Sequence, residues 1–324
     1  MRKYINASNI PLSVAVYLAT DHYDHDSETI SATALLKPIR QMVLAQRVPD
    51  DLSMVDIMGL AKSRMGTSIH DGIEGAWTNG YAEAMSALGY PKRVIDKVTV
   101  NPEPSEVTDD QIPVYMELRS YRQVAGVTVS GKFDFVAEGK LEDFKSTSTF
   151  TWINNTKDED YKLQGSIYKW LNPEIITSDE MQINFIFWDW QAMRAKTDDK
   201  YPNFPIMSKR YPLLSTQETE NFIKRKLREF EFFKDADESE LPLCTDKELW
   251  RKEPQFKYYK NPDKMTRSTK NFDSKQDAYN RLATDGGKGT VIEVPGEVIA
   301  CKFCPAYPIC SQKDDLIASG ALKL

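Results

Sequence analysis

Residues 131–147, GKFDFVAEGKLEDFKST, place Asp134, Glu142, Asp143 and Lys145 in two short alternating runs around Glu138-Gly139. Such alternation, with a glycine to supply positive φ in the turn, predicts a β-hairpin with a two-residue loop. Under that loop Asp134 faces Asp143, and the period of two puts Lys145 on the same face. A three-residue loop would break this register. Opposed carboxylates repel unless a cation lies between them, and hard oxygen ligands of this kind suit Mg²⁺ or Mn²⁺. A lysine alongside can stabilise charge on a phosphate or orient an attacking water. For an isolated Asp-x-Lys, a solvent-facing strand of alternating charges is the plainer reading; here the acids face each other behind Gly131, and further matching features occur along the chain.

The elements that must position these groups follow from periodicity. Residues 31–47 (SATALLKPIRQMVLAQR) read as a helix with a Ser or Thr cap, interrupted or started near Pro38. Residues 52–88 are helical, with Ile69, Ile73 and Trp77 at i, i+4 and i+8. Over 97–122 the period changes to that of strands, and the hairpin follows. A helix at about 159–171, a strand at 181–190 and an amphipathic helix at about 215–234 with a Ser-x-x-Glu cap complete the pattern. This order predicts a mixed α/β domain.

The chain has 324 residues, 42 Lys and Arg against 48 Asp and Glu, and a net charge of −6, which excludes a uniformly basic protein but not a local basic stripe. No apolar run approaches the roughly 18–20 residues of a membrane helix. Ile10–Ala19 stands behind Arg2 and Lys3 like a short signal peptide. No small-residue cleavage site follows, and TDHYDHD comes next, so the expectation is a buried helix. Four cysteines are too few for a disulfide scaffold of this length, which points to a reducing, cytoplasmic setting.

G-x-x-D followed by D-x-K resembles the core of the PD-(D/E)XK nuclease superfamily. Two further motifs resemble its RecB-like branch. GTSIHDGIE (66–74) is similar to the branch's G-x-x-x-H-x-x-x-E helix, with His70 in the metal-ligand position, and Gln164 and Tyr168 in QGSIYKW match its Q-x-x-x-Y helix. The opening SATALLKPIRQ is similar too, so the resemblance runs from about residue 31 to 190. It implies a restriction-endonuclease-like core, a mixed central sheet flanked by helices. It also implies one or two Mg²⁺ or Mn²⁺ ions held by His70, Asp134, Asp143 and the Phe144 carbonyl, with Lys145, Gln164 and Tyr168 in catalytic or DNA-orienting roles. Hairpin register and the D-x-K alignment both select Asp143 and leave Glu142 structural. Glu74 and Glu117 are second-line candidates.

Cys301, Cys304 and Cys310 spell C-x2-C-x5-C, and Cys244 lies upstream. Four thiols make a soft-ligand site for iron–sulfur or zinc. The spacing resembles the C-terminal cluster staple of AddB-type nucleases, which implies 4Fe–4S with zinc as the alternative; in those relatives the lone cysteine precedes the nuclease motifs, whereas Cys244 follows them. Between the cysteines, residues 251–270 are basic with Phe256, Tyr258 and Tyr259 interleaved, a composition suited to phosphates and to stacking on unpaired bases, or to a solvated loop.

These readings divide the chain into a helical N-terminal part (1–95), a nuclease core (96–235) and a cysteine-stapled subdomain (236–324). They imply a metal-dependent DNA exonuclease of phage type, serving recombination, repair or DNA processing. There is no G-x-x-x-x-G-K-S/T, so unwinding would fall to a helicase or annealing partner. A nuclease-fold DNA-binding component and a cluster-bearing scaffold for a protein partner are the alternatives.

Overall fold

The computed structural model describes residues 3–20 and 28–323, so most of TDHYDHD lies outside the described residues. The chain forms two compact units, residues 1–37 with 54–229 and residues 38–53 with 230–324. This differs from the three-part division expected from sequence: 38–53 joins the C-terminal unit, and the rest of 1–95 belongs with the sheet.

The first unit is mixed α/β. Its longer helices are α1 (Leu12–Ala19), α2 (Ala61–Ala87), α3 (Thr149–Asn154), α4 (Asp158–Leu171) and α5 (Thr216–Phe233). Its sheet strands are β1 (Ile30–Ser31), β2 (Val98–Val100), β3 (Ile112–Val124), β4 (Val127–Ala137), β5 (Lys140–Thr147), β6 (Glu180–Phe187) and β7 (Ile206–Pro212). The strand order is β2-β3-β4-β5-β6-β7, with β1 on β4 off that path. The pairs β2–β3, β5–β6 and β1–β4 are parallel and the others antiparallel.

One face of the sheet packs Phe133, Val136, Leu141, Ile183 and Phe185 against Ile167, Tyr168, Trp170 and Leu171 of α4 and Ile223 and Leu227 of α5. On the other face Val114, Met116 and Phe135 pack with Trp77, Tyr81 and Met85 of α2. The ring of Trp77 lies 5.2 Å from that of Phe135. Strand β7 is missing from the sequence reading, because IMSKRYP is polar at most positions and follows an irregular Pro-containing loop.

The helix expected over Ile10–Ala19 forms, but it is not buried. Leu18 is its single buried residue, while Leu12 is 79 % exposed and Val14, Val16 and Tyr17 also face outward. Apolar on all sides, it touches the unit through Leu18 and a 2.8 Å hydrogen bond between the Tyr17 hydroxyl and Ser68. No helix among the described residues is long and apolar enough to cross a membrane.

The second unit has a three-stranded antiparallel sheet of Lys270–Phe272, Gln255–Tyr259 and Thr290–Val294, with Gln255–Tyr259 in the middle. Phe256, Tyr258 and Tyr259 are buried in it, which corrects their assignment as base-stacking rings: they are packing residues of the central strand. A second cluster gathers Leu249, Val298, Cys301, Leu316, Ala321 and Leu322, with Cys244 packed against it.

Candidate active site

The Glu138-Gly139 turn has φ of 49° and 74°, the left-handed pair that a type I′ hairpin turn needs. It sets Ala137 opposite Lys140, Val136 opposite Leu141 and Phe135 opposite Glu142. The next pair in this register is Asp134 with Asp143, and there the two strands part. Strand β4 is held on that side by β1 at Val129 and Ser130, then by β5 from Phe135 onward. Asp134 stands in the fork between them, and its Oδ2 accepts the Phe144 N–H at 2.8 Å, a donor that the parting strands would otherwise strand.

The neighbouring strand changes course at the same level. Met116 opposes Phe135 and Leu118 opposes Phe133, so no residue is inserted, yet Glu117 and Asp134 form no ladder pair. Glu117 has φ of 50°, a region costly for any residue but glycine, Asn or Asp. Its effect is a change of faces: Val114 and Met116 pack toward α2, whereas Leu118 packs with the cluster on the α4 side. Phe135 and Phe133 in β4 divide in the same way. The twist brings the Glu117 carboxylate beside Asp134.

His70 reaches the fork from α2. Its Nδ1 lies 3.4 Å from Glu117 Oε1 and 3.6 Å from Asp134 Oδ1, and its Nε2, when protonated, donates to the Phe144 carbonyl at 3.1 Å. One ligand atom from each of His70, Glu117 and Asp134 lies within 4.8 Å of the other two, a group able to hold a metal ion. The Lys132 ammonium pairs with the other oxygen of Glu117.

Asp143 is completely buried. The Lys145 ammonium lies 2.6 Å from its Oδ2 and neutralises it, the partner that a carboxylate buried this deeply requires. Tyr161 of α4 borders the pair, with Lys145 Nζ 5.9 Å from the centre of its ring.

The charges shift each group's protonation. For Asp134, burial and then the Asp143 carboxylate raise the pKa from 3.8 to about 7, against Lys145, His70 and the Phe144 N–H. Burial works against a charged His70, but the Glu117 hydrogen bond and the Asp134, Glu117 and Asp143 charges lift it from 6.5 to about 9. Burial would raise Glu117, yet its bonds to His70 and Lys132 hold it below the usual range. Burial opposes the charge on Lys145, and Asp143 and Asp134 overcome it, so the ammonium is held above its ordinary value.

The structure thus brings His70, Asp134 and the Phe144 carbonyl together and sets Asp143 with Lys145 beside them, outside the compact three-ligand group. Glu117, second-line in the sequence, is a full member of that group. Glu142 is occupied elsewhere: its Oε2 accepts from Asn184 Nδ2 at 2.6 Å. Lys132 and Tyr161 went unselected; an acid in the apolar VYMEL run and a lysine directly after Gly131 were the available signals.

Gln164 and Tyr168 are buried, and Gln164 Nε2 donates to the Tyr168 hydroxyl at 2.8 Å. Tyr168 lies over Gly131, where a Cβ would come 2.6 Å from Leu171 Cδ1 and 3.1 Å from the Tyr168 ring. Gly131→Ala is therefore expected to push α4 off β4 and cost about 1–3 kcal/mol by overpacking. Chemical denaturation checks this, and a loss below about 0.5 kcal/mol would show that α4 yields without cost.

No family model matches the chain, and no curated protein matches it. Solved structures overlap it at low identity. SSO0001 aligns with TM-score 0.39 and 14 % identity over 64 % of this chain and 78 % of that one. An alkaline exonuclease from Laribacter hongkongensis gives TM-score 0.33 and 13 % identity over 63 % and 89 %. A phage related exonuclease from Haemophilus somnus gives TM-score 0.29 and 17 % identity over 66 % and 96 %.

Proposed function

We propose that this chain is a metal-dependent DNA nuclease, an exonuclease of the RecB-like PD-(D/E)XK kind. The observation that carries the reading is the fork at Asp134: imidazole, two carboxylates and a backbone carbonyl converge beside the buried Asp143–Lys145 ion pair. That donor set fits Mg²⁺ or Mn²⁺. His70, Glu117, Asp134, Asp143 and the Phe144 carbonyl would hold one or two ions. A bound ion supplies Lewis acidity toward a phosphate and a water of lowered pKa. Lys145, kept cationic by Asp143, offsets charge building on the scissile phosphate. Glu117 and Lys132 keep the His70 imidazole turned toward the fork, and the Gln164–Tyr168 pair orients the bound strand.

Metal binding on this site must displace protons. Below about pH 7 both Asp134 and His70 carry one; between about 7 and 9 only His70 does. Mn²⁺ affinity is therefore expected to climb about tenfold per pH unit between 7 and 9, more steeply below 7, and to level off above 9. Titration calorimetry at several pH values measures this, and a flat affinity from pH 6.5 to 8.5 would place the ion elsewhere.

The four cysteines support a metal-cluster reading for the second unit. All four line one cavity together with Arg40, Leu44 and Gln312. The C-x2-C-x5-C spacing of Cys301, Cys304 and Cys310, with Cys244 upstream, supports 4Fe–4S over zinc in this reading. The cluster's role in this reading is structural, tying residues 236–324 together.

DNA is the substrate, in the cytoplasm of a cell or of a phage's host, with a helicase or single-strand annealing protein as the partner that presents ends. Incubation with end-labelled linear and circular DNA, single- and double-stranded, in Mg²⁺ or Mn²⁺ tests the whole reading. Product lengths report polarity, and cleavage of none of the substrates in either metal removes the proposal.

A further inference from the structure

Arg40 lies in the helix Ile39–Ala45 and is only 3 % exposed. Its Nε donates to Cys310 Sγ at 3.4 Å. Nη1 reaches the carbonyls of Glu238 and Leu241, each at 3.3 Å, and Nη2 pairs with the Glu238 carboxylate and reaches Ser311 Oγ at 3.0 Å. Glu238 is fixed in turn by the Ser311 N–H at 2.6 Å and hydroxyl at 2.8 Å. With both Nη groups anchored, the planar fork leaves Nε no freedom to aim anywhere but at the sulfur.

A guanidinium stays charged at every pH the protein meets, and a buried charge needs partners. Arg40 has one carboxylate, partly exposed, and one cysteine sulfur. A thiolate committed to a metal keeps part of its negative charge, and an N–H···S bond from a cation stabilises that charge. Cys244, the cysteine distant in sequence, is held differently: its N–H and C=O are clamped by Gln312, at 2.9 and 3.0 Å, with no cation in the clamp.

We infer that Arg40 is a positioning residue for the metal cluster, holding Cys310 as a ligand through its Nε–H and setting the cluster's reduction potential by its charge. This rests on the reading of the four cysteines as an iron–sulfur site. Hydrogen bonds to cluster sulfurs and nearby charge are among the determinants of such potentials. Taking away a cation and a donor disfavours the more negative, reduced form.

The test uses the full chain purified without oxygen, as wild type, Arg40→Gln, Arg40→Lys and Glu238→Gln. Iron and sulfide content, absorbance near about 400 nm and a potentiometric titration are recorded for each. Arg40→Gln should shift the potential negative and lose iron to a chelator about tenfold faster or more. Arg40→Lys should keep most of the potential, because the charge stays, while losing iron faster, because the fork is gone. Glu238→Gln keeps the Arg40 charge and Nε–H but removes a neighbouring carboxylate, so its potential should move positive, opposite to that of Arg40→Gln. Equal potentials in wild type and Arg40→Gln overturn the inference, and so does equal lability in Glu238→Gln and Arg40→Gln, which would mark Arg40 as a fold anchor only. Wild type that binds no iron overturns the cluster reading itself, and the inference with it.

Discussion

Asp143→Ala is expected to lower DNA cleavage by about a thousandfold or more, while Glu142→Ala leaves it within about twofold. The two acids are adjacent in sequence and point to opposite faces of β5. Asp143 lies buried against Lys145 and next to Asp134, whereas Glu142 is bonded to Asn184 on the neighbouring strand. Lys145→Ala should cost about a hundred- to a thousandfold, the range found when one donor to a developing charge is removed. Circular-dichroism melts of each variant separate lost chemistry from lost fold, and Asp143→Asn preserves the side-chain shape. If Asp143→Ala retains more than a tenth of wild-type cleavage while still folded, the hairpin register has selected the wrong acid.

The second large effect is expected from Cys304→Ala. The cluster of buried side chains around Cys301 consists of six residues, two of them alanine or cysteine. A core that small needs a staple, and structural metal sites contribute on the order of 10 kcal/mol to folding. Burial, with Glu248 and the neighbouring cysteines, pushes the Cys244 thiol up to about 12, so without a metal to displace the proton into solvent it stays a neutral thiol and adds no electrostatic cohesion. Cys304→Ala should therefore abolish amide protection across 244–259 and 290–322 by hydrogen-exchange mass spectrometry, while β4 and β5 keep theirs. Unchanged protection in the cysteine region would show that packing alone holds it.

The hairpin was legible in the sequence because its register depends on one local decision. Once Glu138-Gly139 makes a two-residue turn, the next three pairings follow down to Phe135 opposite Glu142; the expected Asp134–Asp143 pair does not form, because the strands part there. The long helices were legible for a similar reason: periodicity accumulates over many residues. Glu117 shows the limit. Strict alternation cannot represent a strand whose side chains change faces at one residue held at φ 50°, and nothing in VYMELRS advertises that twist. Burial failed as a guide in both directions. The largely apolar α1 stayed mostly exposed, and Tyr258, directly after Lys257, became one of the largest fully buried side chains. Composition tells what a segment can bury; it does not tell which neighbour arrives to bury it.

The path of the chain between the two units has a practical consequence for dissecting the protein. Residues 38–53 leave the first unit after Lys37, contribute to the second, and return at Met54, long before the chain crosses again after Glu229. A fragment ended at Glu229 would keep this excursion but lose what it packs on, presenting Ile39, Met42, Val43 and Leu44 to water with an unpaired Arg40 among them. Such a fragment is a poor candidate for soluble expression. A minimal version of the first unit calls for splicing Lys37 to Met54 through a short polar linker, and a minimal second unit has to be circularly assembled from two pieces of sequence rather than cut out as one.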